Sequence, residues 1–549
     1  MEPSPSRPLK TASSVVLAAC GVGLLCAALM FALDLDRTDR GELNIFYYLY
    51  THYEPALLIF SAVVLALLWY ATSRGQSLGG LQRIERAVTA WPARRSVLCV
   101  AAAVLALCWV GTFVVYHNFP FSQDEYTVVF QSKILAHGEL EAKLPAAWQG
   151  FGHAARPVFV TYDAAAHTYR SAYLPVYAAM RAALLLVGVP TLLNPLLAAL
   201  TVLLLASTIK KLWPQATLQP LVGALLLATS SQFLVVAMSD YTMTAHLMLN
   251  LLWLRLHVGG SRWGRLALPW VGTVAMGLHA FVPHALFVAP FLLRYPRERR
   301  WAWTIYLALV YLGASVLWMW ATRVVNPTIG PAAAAAFGLP GARQVLDFFA
   351  TLPMLASWGS VATGVLALLA LGRFRELPTP LKDAAYSAAL TLAFYLFFLN
   401  NQGHGWGHRY FHPVLGNLVL LAIPGWQRLK SCVERERATS FLAVSLIMAV
   451  AITLPARCYQ VEAVVGPFAR TAEYIAAQKA TVVMINPASV WYGQDVVRND
   501  PYLGNKPKML FPHRLTRRGF YELRRRGTVR LISQAELVKL GMFPTRRRR

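Results

Sequence analysis

The sequence predicts an all-α polytopic membrane protein: a bundle of about thirteen transmembrane helices, each needing roughly 20 apolar residues. A long outer loop carries a juxtamembrane helix, and a small C-terminal α/β domain lies outside the membrane. Three observations predict this. Of 549 residues, 57% are hydrophobic and only 14% charged, with mean hydropathy +0.46, whereas globular chains carry about 25% charged residues. Apolar runs recur along the whole chain. The bases collect in short loops between them. The first two observations exclude an ordinary soluble protein and intrinsic disorder. The third reads the net charge of +26 as a topology record, so nucleic acid is not an expected partner.

The runs fall at 12–31, 55–71, 97–116, 192–209, 217–238, 241–257, 266–280, 282–293, 301–321, 346–372, 383–399, 412–427 and 439–455. The first does not read as a cleaved signal peptide, because a second run follows and no small-residue cleavage site intervenes. The stretch 172–188 is apolar but interrupted by Arg181. Counting it as a span would move Lys210–Lys211 and every later basic loop to the wrong side. It is therefore read as a juxtamembrane helix. With that choice Arg83, Arg86, Arg94 and Arg95, Lys210 and Lys211, and Arg294 to Arg300 all fall inside, and loop 34–54 outside carries five acids against two bases. The chain is then expected in the cell inner (plasma) membrane, N-terminus cytoplasmic and C-terminus extracytoplasmic. The six cysteines are scattered, so neither a disulfide scaffold nor a zinc spacing follows.

Three regions result: 1–95, two N-terminal spans and an inner loop; 96–455, the membrane core with outer loop 117–191; and 456–549, a basic extracytoplasmic tail. Residues 124–138 read as a short helix ended by Gly138. The tail has 18 Lys/Arg against 6 Asp/Glu, a net +12. In it 462–478 looks helical, and TVVMI (481–485) and TVRLI (528–532) read as strands. Arg546–Arg549 has no apolar companion and reads as disordered.

Three constellations carry possible chemistry. Asp124–Glu125 opens the loop helix. There an acid either caps backbone N–H groups or takes a proton from a hydroxyl nucleophile; it could also bind a divalent ion such as Mg, Mn or Ca. Asp240 sits in a Ser-Asp turn between two runs, either as a turn former or facing Asp124 across a cavity. His246 lies about two turns deeper, and an ionisable group there is a functional candidate by default. The third is NNQGHGWGHRYFHP, 400–413, with His404, His408, Arg409, Tyr410 and His412. Arg409 has the fork geometry that grips phosphate. The three histidines have no diagnostic zinc spacing. His279 and His284 near another turn fit either a cavity lining or core hydrogen bonding.

These residues resemble, in order and placement, the GT-C superfamily of membrane glycosyltransferases, nearest the protein O-mannosyltransferase and lipid A aminoarabinose transferase group. The likeness covers roughly residues 95–425. It rests on Asp124–Glu125 followed by a helix ending at Ala136-His137-Gly138, and on Tyr173-Leu174-Pro175-Val176-Tyr177 in place of a Tyr-Pro-Pro-Gly-like stretch. It continues with Asn194 through Lys210–Lys211, Asp240 at the second outer turn, and Gly407-His408-Arg409-Tyr410. The chain departs from the pattern in its two extra leading spans, in the lost Pro-Pro-Gly, and in Val282-Pro283-His284 where Arg-Pro is often found. The resemblance implies an inverting transferase that takes a sugar from a polyprenyl-phosphate donor to a lipid, cell-envelope glycan or protein acceptor. Asp124 and Glu125 are the candidate catalytic acids, with Asp124 as base. Asp240, His246, His404, His408, Arg409, Tyr410 and Tyr173 are the candidate substrate-binding side chains, with Arg409 on the donor phosphate. Asp124 and Asp240 are the candidate metal ligands. The same apolar bulk and cavity charges also fit a transporter or flippase of an anionic lipid-linked substrate, or a non-catalytic scaffold that binds membrane lipids.

Overall fold

Every apolar run is helical over most of its length in the computed structural model, which describes residues 6–39, 48–49, 52–74, 92–325, 337–398 and 406–545. Arg83, Arg86, His404 and Arg546–Arg549 lie outside the described residues. The expected count of spans is corrected. Among the described residues six helices are long and apolar enough to cross a membrane: Leu9–Asp34, Glu54–Ser73, Ala93–Val114, Pro190–Leu212, Trp301–Thr322 and Arg435–Ala476. The number rises to eight if two bent pairs each count as one span. These are Gln219–Ala228 with Ser231–Ala237, bent by 63°, and Ala342–Ser357 with Val361–Leu371, bent by 109°.

The physical reason is that interior helices face protein and need not be uniformly apolar. The helix Met243–Gly259 is 17 residues long and buries Thr244, His246 and Asn250. Asn250 donates to the Pro413 carbonyl at 3.0 Å and meets His284 Nδ1 at 2.8 Å. Asn250 thus finds both its partners inside the bundle. The runs at 266–280 and 282–293 become helices of 15 and 11 residues, each containing a proline, Pro269 and Pro290. The juxtamembrane stretch forms Val176–Leu186. Its 11 residues reach about 16 Å, too short to cross a hydrocarbon core of about 30 Å.

Outside the bundle the loop and the tail build one cap. The loop contains a three-stranded antiparallel sheet that sequence reading did not foresee: β1 (Ala142–Lys143), β2 (Val160–Asp163) and β3 (Thr168–Ser171), in the order β1-β3-β2. The tail strands read from the sequence form as β4 (Val482–Ile485) and β6 (Val529–Ile532). A third strand, β5 (Lys508–Leu510), joins them in a parallel sheet of order β5-β4-β6. All four β4 residues are buried, as a central parallel strand requires. The helix Arg517–Arg526 crosses from β5 to β6.

One apolar cluster closes the cap, with Tyr126, Phe130 and Ile134 from the helix Gln123–Ala136 and Val482, Met484 and Leu510 from the tail. Hydrogen bonds reinforce the seam. Tyr126 donates its hydroxyl to the Asn499 carbonyl at 2.7 Å, and Asn499 donates to the Ala155 carbonyl at 2.7 Å. The tail thereby fixes the helix that begins with the acidic pair.

Candidate functional site

The sequence Ser-Gln-Asp-Glu explains why the two adjacent acids part company. Ser122 is the N-cap in extended conformation, and its hydroxyl accepts the Glu125 N–H at 3.3 Å. Glu125 Oε2 accepts the Ser122 N–H at 2.9 Å, completing a capping box. Its Oε1 accepts the Asp240 N–H at 3.1 Å. Glu125 is fully buried. Burial pushes its carboxyl up to about 8 against the opposing hydrogen bonds, with the Asp240 charge adding to the rise. Glu125 is therefore an internal strut between the loop helix and the turn at 239–241.

Asp124, one residue earlier, turns elsewhere. Its Oδ2 accepts from Arg409 Nη2 at 2.6 Å, and its Oδ1 accepts the Tyr173 hydroxyl. Burial raises this carboxyl, but the Arg409 charge, the Tyr173 hydrogen bond and His279 outweigh it and hold it at about 2. The same ion pair overcomes burial to hold Arg409 further in its charged range, and burial with the Asp124 charge keeps Tyr173 protonated as a donor. The Tyr173 ring packs on His279 with centroids 4.4 Å apart. The side chains of Arg409 and Asp124 keep 11% and 21% accessibility.

Arg409 depends on its local sequence. Gly407 adopts φ +65°, and a Cβ there would stand 2.5 Å from the Gln232 side-chain oxygen, so only glycine fits. Gln232 clamps the next residue, donating to the His408 carbonyl at 2.9 Å and accepting its N–H at 3.2 Å. The Arg409 guanidinium lies over the Tyr241 ring at 4.7 Å, a cation–π contact that supports the fork.

Asp240 lies in the expected turn, paired with Arg181. Arg181 Nε donates to Asp240 Oδ1 at 2.9 Å, and its Nη1 donates to Ser132 Oγ at 3.0 Å. Asn194 pins the turn by donating to the Ser239 and Tyr241 carbonyls at 2.6 and 2.8 Å. Arg181 had entered only as an interruption of an apolar stretch. The signal that could have exposed it is that a lone charge in such a stretch needs a partner. Tyr241 and Gln232 carried no comparable signal.

The structure thus brings together Asp124, Tyr173 and Arg409 directly, and Asp240 through Glu125. His246, His408 and His412 are buried, and their ring nitrogens find no hydrogen-bond partner among the described residues. The His408 ring packs on Phe348, and Tyr410 stacks on Tyr395 with centroids 4.4 Å apart. Among the described residues no group of three or more His, Cys, Asp or Glu is arranged to hold a metal ion. Asp124 and Asp240 each hold a guanidinium, with which a divalent cation would compete.

No protein-family model and no curated protein matches the chain. Among solved structures it is similar to two crystal structures of ArnT from Cupriavidus metallidurans, one bound to undecaprenyl phosphate and one in the apo state. Both show 14% identity and a TM-score of 0.48; they cover 73% and 74% of this chain, respectively, and 85% of the other.

Proposed function

We propose that the chain is a membrane glycosyltransferase of GT-C type, which moves a sugar from a polyprenyl-phosphate donor to a lipid, cell-envelope glycan or protein acceptor on the extracytoplasmic side. The observation that carries this reading is the accessible Asp124–Arg409 pair, closed by Tyr173, at the junction of the bundle and its cap. It supplies a carboxylate for a hydroxyl proton and a guanidinium for a phosphate.

In this mechanism the donor phosphate draws the Arg409 guanidinium away from Asp124. Losing that charge raises the basicity of Asp124, which at about 2 is too weak a base for an alcohol. The acceptor oxygen attacks the anomeric carbon from the face opposite the leaving group. The carbon–oxygen bond to the lipid phosphate breaks, and the phosphate leaves with the bonding pair. The hydroxyl proton passes to Asp124, and Arg409 stabilises the charge on the departing phosphate. Tyr173 orients Asp124, and Glu125 holds the loop helix against the turn bearing Asp240. His246, His408 and Tyr410 are assigned to the walls that meet the sugar or lipid.

The test is reconstitution in proteoliposomes with a mixed pool of lipid-linked sugars, followed by mass spectrometry. Free polyprenyl phosphate and a glycosylated acceptor should appear together, and neither should form with Asp124→Asn. The two sharply bent helix pairs favour a second reading, because broken helices are common at transporter sites. A flippase would move the lipid-linked sugar across the bilayer without releasing polyprenyl phosphate.

A further inference from the structure

We propose that the buried Glu54–Arg457 pair positions the Arg409 turn, so that the helix Glu54–Ser73 is a working part of the transfer site. This rests on the reading of Asp124 and Arg409 given above. Glu54 begins the helix Glu54–Ser73, and Arg457 lies in the long helix Arg435–Ala476. Both side chains have 0% accessibility, and Arg457 Nη1 donates to Glu54 Oε1 at 2.8 Å. Gln460 also donates to Glu54 Oε1, at 3.1 Å, and Arg457 Nη2 donates to Ser357 Oγ at 3.2 Å.

The pair grips Trp358 on two sides. The indole N–H donates to the two Glu54 oxygens at 3.2 and 3.3 Å, and the Arg457 guanidinium covers the ring at 4.1 Å. Trp358 sits at the 109° helix break, and its carbonyl accepts the Gln232 N–H at 3.0 Å. Gln232 belongs to the segment that follows the 63° break, so this bond ties the two breaks together. Its side chain then makes both hydrogen bonds to the His408 backbone, one residue before Arg409. A parallel contact runs from Trp358 to Trp406 at 6.3 Å and on to Phe121 at 6.2 Å, just before the cap of the Asp124 helix.

A fully buried ion pair is weak evidence for stability, because apolar replacements often do as well. Its value here lies in direction. It fixes one tryptophan, and that tryptophan fixes the backbone on both sides of the reacting groups. An error of about 1 Å in such a constellation costs about a hundredfold in rate.

The test uses the full-length protein and measures polyprenyl phosphate release from mixed lipid-linked sugars, its pH profile, and affinity for undecaprenyl phosphate. The charge-free pair Glu54→Gln/Arg457→Gln keeps a hydrogen-bonding side chain at each position. It should retain folding yet lose turnover by about tenfold or more, with the acid limb of the pH profile moved upward as the Asp124–Arg409 contact loosens. Affinity for undecaprenyl phosphate should weaken in step. Trp358→Phe, which keeps an aromatic ring but removes the indole N–H, should do the same and carries the test if the double variant fails to fold. Unchanged turnover and acid limb in these variants, with Arg409→Ala still inactive, would overturn the relay. Full turnover in Arg409→Ala would overturn the site reading and the relay with it.

Discussion

Glu54–Arg457 and Asp124–Arg409 are both carboxylate–guanidinium pairs drawn together across long stretches of chain, 403 and 285 residues apart. Their surroundings differ. The first is sealed at 0% accessibility and surrounded by Gln460, Ser357 and Trp358. The second keeps 11% and 21% accessibility and leans on tyrosines. A pair with its protein partners fixed inside the core is suited to hold geometry. A pair left open to an incoming anion is suited to exchange partners. Charge type alone does not distinguish them; the shell does.

The largest break in this contrast should come from Asp124→Asn. Turnover, read as polyprenyl phosphate release, should fall by about 10²–10⁴-fold, the worth of a positioned base, while membrane insertion and thermal stability stay near wild type. Arg457→Met should do the opposite first. Stranding Glu54 in the core should cost about 3–5 kcal/mol, seen as a lowered melting temperature, and Glu54→Gln/Arg457→Gln should recover most of it. Equal destabilisation by the two single variants would erase the distinction between the pairs.

Arg409→Ala sharpens the open pair. Arg409 is the main group holding Asp124 at about 2, and burial opposes it. With the guanidinium gone, the Asp124 carboxyl should move upward in a direct carboxyl titration. The smallest effect concerns Glu125. Its folded value of about 8 lies above the ordinary 4.5, so the folded state holds the extra proton between those values. Its contribution to stability is then complete below about 4.5 and is lost as pH rises toward about 8. Glu125→Gln, which preserves capping-box acceptance, should flatten melting temperature against pH in that window. Glu125→Ala should lower it throughout, through the loss of about 1–2 kcal/mol of capping.

Local features were the legible ones. The loop helix, its stop at Gly138, both predicted tail strands and the Asp240 turn follow from near-neighbour chemistry. Asp124 and Arg409 were nameable because their residue types suit the proposed reaction. What stayed hidden was pairing. Glu54 looked like one more acid in an outer loop, Arg457 like the first base of a basic tail, and Arg181 like a blemish in an apolar stretch. Periodicity says which face of a helix is apolar, but not which distant charge it will meet. The span count failed for a related reason: interior helices such as Met243–Gly259 look apolar enough in outline, yet bury polar side chains such as Thr244, His246 and Asn250.

The helix Arg435–Ala476 runs for 42 residues, about 63 Å at 1.5 Å per residue. That is roughly twice the hydrocarbon thickness, so the bilayer cannot contain it. Whatever part emerges acts as a mast for the parallel sheet that follows at Val482. The sheet is then carried on a continuous helical run, with a π-helical stretch at Ala449–Thr453 and Pro467 within it, rather than on a flexible tether.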